Sequence, residues 1–193
     1  FAGAANGVDV NLSVTSAQDT GAGLDVLSNF EGVIGSANDD TVMGTSTNDW
    51  IIGGAGSDEL LAANGDDTVE AGDGDDVVRG FRGKDEIDGG AGADLIFGQT
   101  SADILTGGAG DDTVVGGKGR DFVSGGDDAD ELRGNRGTDT VEGGAGEPRG
   151  DRRAARDDRL NEIAARNPSA LRLLKQLLGE QGFLPRKHPY SPC

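Results

Sequence analysis

From Val42 to Val141 an aliphatic side chain returns every nine residues: Val42, Ile51, Leu60, Val69, Val78, Ile87, Ile96, Leu105, Val114, Val123, Leu132 and Val141. Two residues before each stands an aspartate, in an equally unbroken series from Asp40 to Asp139. Between one aliphatic and the next aspartate the chain is mostly Gly, Asp, Asn and Ser. An isolated aliphatic between two variable residues predicts a short strand whose middle side chain points inward, because strand side chains alternate between faces. The six residues that follow predict a turn with left-handed backbone, which glycine adopts without steric cost. One strand and one turn fill nine residues, so two repeats close one coil of 18. Twelve repeats predict six coils of an all-β, parallel β-roll, a β-solenoid in which two thin sheets share one aliphatic ladder.

Composition sharpens this picture. Aromatics make up 4% of the chain and apolar residues 34%, while the formal charge is −18. So little apolar surface and so much like charge would ordinarily leave a chain disordered, and the fold needs another stabiliser. The charge is divided unevenly. Residues 1–146 hold 29 acidic and 7 basic residues, net −22, and residues 147–193 hold 6 and 10, net +4. An acidic body has no means of holding phosphates, which excludes nucleic acid and favours a cation as partner. The one cysteine, Cys193, rules out a disulfide framework within the chain and any paired-cysteine metal or redox motif.

The glycines supply the rest of the motif. GGAGSDELL (53–61), GGAGADLIF (89–97), GGAGDDTVV (107–115) and GGKGRDFVS (116–124) share the form GGxGxD followed by x-aliphatic-x. Over residues 35–146 the sequence resembles the RTX family, the hemolysin-type calcium-binding nonapeptide repeat. The resemblance implies several calcium ions, each between turns 18 residues apart. The second- and fourth-position carbonyls and the Asp of one turn would act with the first- and third-position carbonyls and the Asp of the next. Carried over residue by residue, one site is Gly54, Gly56, Asp58, Ala71, Asp73 and Asp76. The next is Gly72, Gly74, Asp76, Gly89, Ala91 and Asp94. A third is Gly90, Gly92, Asp94, Gly107, Ala109 and Asp112, and a fourth Gly108, Gly110, Asp112, Gly125, Asp127 and Asp130.

Coil stacking sorts the turns into two rows. These four sites lie in the first row, which runs from residues 35–40 to 125–130 in steps of 18. The second row holds Gly65, Asp67, Gly83 and Asp85 as one candidate site and Gly117, Gly119, Asp121, Gly134 and Asp139 as another, with Asp103 in the same file. Its glycines are often replaced, and Arg82, Lys84, Arg120 and Arg136 place cations beside the ligands. Weaker binding or partial occupancy is expected there. Asn38, Thr47, Ser101 and Asp128 stand where the fourth-position glycine belongs, which puts the neighbouring sites in question.

Three regions result: a lead-in and capping segment (1–34), the roll (35–146) and a basic tail (147–193). In the lead-in, alternation from Val8 to Val14 predicts a strand, and Phe30, Val33 and Ile34 are expected to cap the open end of the core. Trp50 and Ile52 are expected to help. Leu61, Val77, Leu95, Phe97 and Val115 point outward together, as scattered hydrophobes or as a face for a neighbouring domain. The tail reads as helical over 151–166 and 168–179, with Asn167 as N-cap and Pro168 at the first helical position. RTX proteins commonly end in an uncleaved type I secretion signal, which this tail fits only in its amphipathic helix. The chain starts at Phe1 and reads as part of something longer.

No transmembrane segment and no catalytic motif is present: HExxH and GxSxG are absent and His188 is the only histidine. The chain is therefore expected to be non-catalytic. The expected role is a calcium-binding module of a secreted, extracellular or surface protein that folds outside the cell after passing a type I apparatus, and that supports an attached activity. Two alternatives stay open at this stage. One is an adhesin or interaction module with a host or surface ligand. The other is the non-catalytic part of an RTX toxin, protease or polysaccharide-modifying enzyme. Arg149-Gly150-Asp151 is a chance match to the integrin tripeptide.

Overall fold

The computed structural model describes residues 1–145 apart from 2, 15, 17, 21–23 and 26–29. Among them the chain forms two seven-stranded parallel sheets and a two-stranded antiparallel ribbon of β2 (Gln18–Asp19) and β3 (Leu24–Asp25). One sheet contains β1 (Asp9–Asn11), β5 (Thr41–Met43), β7 (Glu59–Leu61), β9 (Val77–Arg82), β11 (Leu95–Thr100), β13 (Thr113–Lys118) and β15 (Glu131–Arg136), in that order. The other runs β4 (Gly32–Ile34), β6 (Trp50–Ala55), β8 (Thr68–Asp73), β10 (Glu86–Ala91), β12 (Ile104–Ala109), β14 (Phe122–Asp127) and β16 (Thr140–Glu142). The chain alternates between the sheets, which is the predicted roll. No helix occurs among the described residues. The proposed helices of the tail lie outside them.

Register follows the period of 18. Val78, Ile96, Val114 and Leu132 are successive partners in one sheet, and Val69, Ile87, Leu105 and Val123 in the other. All are buried, and together they make the core between the sheets. Many strands run six residues rather than three, because ladder pairing continues through the first three residues of each turn, as in Gly90↔Gly108 and Ala91↔Ala109. The backbone thus turns the corner without leaving the hydrogen-bonded stack.

The N-terminal end is closed differently from the expectation. The predicted strand forms, but β1 pairs with β5 as Val10↔Val42, an offset of 32 residues rather than 18. An excursion through the lead-in is spliced into the roll, and Val8, Val10 and Leu12 continue the ladder, with Phe1 and Ala4 packed on it. Val33 is buried as expected. Phe30 (52% exposed), Ile34 (51%) and Trp50 (51%) are not capping residues. Ile34 and Trp50 sit on the outside because period-two alternation puts the neighbours of inward Val33 and Ile51 outward. Ile52 is half-buried, as are Leu61, Val77, Leu95, Phe97 and Val115.

Candidate metal centre

Each ladder aspartate is buried where turn meets strand. Oδ1 accepts the backbone N–H of the aspartate 18 residues earlier. In the first row Asp58, Asp76, Asp94, Asp112 and Asp130 accept from Asp40, Asp58, Asp76, Asp94 and Asp112 at 2.7–3.1 Å. In the second row Asp67, Asp85, Asp103, Asp121 and Asp139 do the same for Asp49, Asp67, Asp85, Asp103 and Asp121 at 2.8–3.1 Å. One carboxylate oxygen therefore stitches coil to coil.

The other oxygen has no such partner. Oδ2 of Asp58, Asp67, Asp76, Asp85, Asp94, Asp103, Asp112, Asp121 and Asp130 is buried without a hydrogen bond. A buried anionic oxygen lacking both donor and counter-charge is costly, and the protonation behaviour reflects it. Burial raises the pKa of Asp58 and Asp103 from 3.8 to about 7, and that of Asp67, Asp76, Asp85 and Asp112 to about 6. Hydrogen bonding to backbone pulls the other way, and neighbouring carboxylates add to the rise. Asp94, Asp121 and Asp130 are raised for the same first reason, burial.

The glycines shape the space in front of these oxygens. A Cβ on Gly53, Gly89 or Gly107 would fall on Oδ2 of Asp58, Asp94 or Asp112 and on the carbonyl of Ala71, Gly107 or Gly125. A Cβ on Gly116, Gly125 or Gly134 would meet Asp121, Asp130 or Asp139 in the same way. The second position is left-handed at Gly54, Gly72, Gly90, Gly108 and Gly117, and the fourth at Gly56, Gly65, Gly74, Gly83, Gly92, Gly110 and Gly119. Files of carbonyls stack along the roll, since a Cβ on Gly90 or Gly92 would strike the oxygen of Gly72 or Gly74.

Third-position carbonyls are already used once. Those of Asp73, Ala91 and Ala109 accept the N–H of Gly56, Gly74 and Gly92 at 2.9, 2.6 and 2.8 Å, which leaves each a second lone pair. The side chains of Asp73 and Asp127 point to solvent. No three acidic, His or Cys side chains converge among the described residues. The available donors are one carboxylate per turn plus main-chain carbonyls, all hard oxygens. That set fits calcium, which takes six to eight oxygens in irregular geometry, and not zinc, which prefers nitrogen and sulfur.

The two rows differ in backbone strain. Ala63, Phe81, Gln99 and Asn135 occupy the second position of second-row turns with φ of 84°, 72°, 77° and 71°, and Ser101 the fourth with φ of 97°. In the first row only Asp128, at 74°, does so among non-glycine residues described.

The first coil escaped sequence reasoning. There Ser36, Asn38, Thr45 and Thr47 are not left-handed. The Ser36 N–H donates to Asp40 Oδ2 (2.6 Å) and its hydroxyl to Oδ1 (2.8 Å), while the Val8 N–H also reaches Oδ1 (2.6 Å). The Thr45 N–H and hydroxyl donate to Asp49 Oδ2 at 2.6 and 3.0 Å. Protein donors fill the place that is empty of donors at the nine deeper aspartates. The available signal was a Ser or Thr four residues before each Asp, a local hydrogen-bonding pattern.

An aspartate ladder with carbonyl files in a parallel roll defines a calcium-binding solenoid. The profile of the RTX calcium-binding nonapeptide repeat matches four times, over residues 34–69, 61–96, 88–123 and 115–147. The chain belongs to this family, and its repeats bind several calcium ions. None of the curated proteins matches the chain.

Proposed function

We propose that this roll is the calcium-triggered folding module of a secreted protein, extended during export through a type I apparatus and ordered outside the cell. The observation that carries the reading is the set of nine buried Oδ2 atoms with no partner. An ion in front of each file would supply what the protein withholds. In the first row we assign the four sets from Gly54 to Asp130 given above, with Asp76, Asp94 and Asp112 each shared by two ions. In the second row Gly65, Asp67, Gly83, Asp85, Asp103, Gly117, Gly119, Asp121, Gly134 and Asp139 serve, with weaker binding.

Extracellular calcium modules bind with dissociation constants of ~10⁻⁴ to 10⁻³ M. Ion about tenfold above that stabilises by roughly 1.4 kcal/mol per site, and several sites together match the stability of a small domain. At cytosolic calcium the contribution vanishes and carboxylate repulsion keeps the chain open. The roll itself performs no catalysis and serves to order and present an attached activity. Far-UV circular dichroism at neutral pH tests this: a chelated chain should lack the β spectrum that ~10 mM calcium restores. A β spectrum indifferent to chelator removes the proposal.

A further inference from the structure

The seven basic residues of positions 1–146 are not scattered. Arg79 and Arg133 lie on one sheet face and pair with Glu59 and Glu131. The other five, Arg82, Lys84, Lys118, Arg120 and Arg136, are exposed on second-row turns with no ion pair among the described residues. The exposed charged residues of the first-row turns are all acids: Asp39, Asp73, Asp75, Asp111, Asp127 and Asp128. One long edge of the roll is acidic, and the opposite edge carries the cations.

The charges also match coil by coil. In coil 71–88 Asp73 and Asp75 stand on one edge and Arg82 and Lys84 on the other. Coil 89–106 has Ala91 and Ala93 against Thr100 and Ala102. Coil 107–124 sets Asp111 opposite Lys118 and Arg120, and coil 125–142 sets Asp127 and Asp128 opposite Arg136. The one acid exposed on the second-row turns, Asp66, shares its coil with neutral Ala55 and Ser57, and Asp39 shares its coil with Ser46 and Asn48.

We infer that the basic edge of one roll docks on the acidic edge of a second copy, axes parallel and coils at the same height. In that register three charged levels meet opposite charge and none meets like charge. Slipping by one coil places Asp39, or Asp73 and Asp75, against Asp66 and keeps one level of opposite charge in place of three. Both edges share a repeat of ~4.8 Å, so the levels stay aligned along the roll. A contact between two different edges does not close on itself, and copies add side by side into rows. The inference rests on the calcium-folded roll proposed above.

Sedimentation velocity on the full chain in ~10 mM calcium tests it. Mass should rise with concentration at ~20 mM salt and return to monomer at ~500 mM, where charges are screened within a few ångströms. Arg82→Glu with Arg136→Glu, and separately Asp75→Lys with Asp111→Lys, should each keep the calcium-dependent β spectrum and stay monomeric. An equal mixture should associate again, because each supplies the edge the other opposes. A wild-type chain that is folded by circular dichroism yet monomeric at low salt overturns the inference and leaves the calcium reading intact. So does a mixture that stays monomeric. Retention of a monomeric wild type on a carboxylated polysaccharide, lost in Arg82→Glu with Arg136→Glu, also overturns it and gives the basic edge to a polyanion instead. A chain without calcium-dependent β structure removes the earlier reading first.

Discussion

A ladder aspartate does two jobs with two oxygens, and a substitution can separate them. Asp76→Asn keeps an acceptor for the Asp58 N–H but removes the charge facing the carbonyl files. Titration calorimetry should show fewer calcium ions bound, by as many as two, because Asp76 serves the ion on either side. Backbone strain gives a second prediction. Gln99 is held at a φ of 77°, where an ordinary side chain crowds the backbone by roughly 1–2 kcal/mol. Gln99→Gly relieves that and loses part of the gain to chain entropy. A net stabilisation of about 0.5–1 kcal/mol is expected in urea melts of the calcium-loaded chain. Asn135→Gly should gain less, since Asn tolerates this conformation better.

At the scale of the coil, the first element is sealed by protein and the later ones are not. Ser36→Ala with Thr45→Ala removes two hydroxyl donors to Asp40 and Asp49. It should lower stability by about 1–2 kcal/mol while calcium stoichiometry stays unchanged, the reverse of the pattern expected for Asp76→Asn. Much of the roll could be read from residues alone, because period nine fixes the strand, the inward residue and the two rows together. The end of the roll could not. Phe30, Ile34 and Trp50 look like capping residues by hydrophobicity, yet which residues close an end depends on where a non-repeating segment re-enters the sheet. Here Val10 joins Val42 after 32 residues, an offset no periodicity contains. The site was legible only as far as the repeat held. The hydrogen bonds that the Asp39, Asn48, Asp66, Asp75 and Asp111 side chains accept from N–H groups of the next coil sit at a position the motif leaves open.

The molecule as a whole is poised between two ways of neutralising its ladder. Calcium is one and protons are the other, so pH should act in opposite directions with and without the metal. In the metal-free roll burial raises the ladder aspartates from 3.8 to about 6 or 7, so between those values the folded chain holds more protons than the unfolded one. Stability then falls as pH rises through that window, and whatever structure protonation supports is lost by neutral pH. Circular dichroism in chelator should therefore show β structure appearing as pH is lowered from 7 towards 4. With calcium present the same protons compete for the same oxygens, and apparent affinity should weaken as pH drops below about 6. Because each coil touches only its neighbours, gain or loss of structure should spread along the stack rather than occur site by site. A chelated chain whose spectrum did not change between pH 7 and 4 would mean that the ladder's burial is not what holds the metal-free state open.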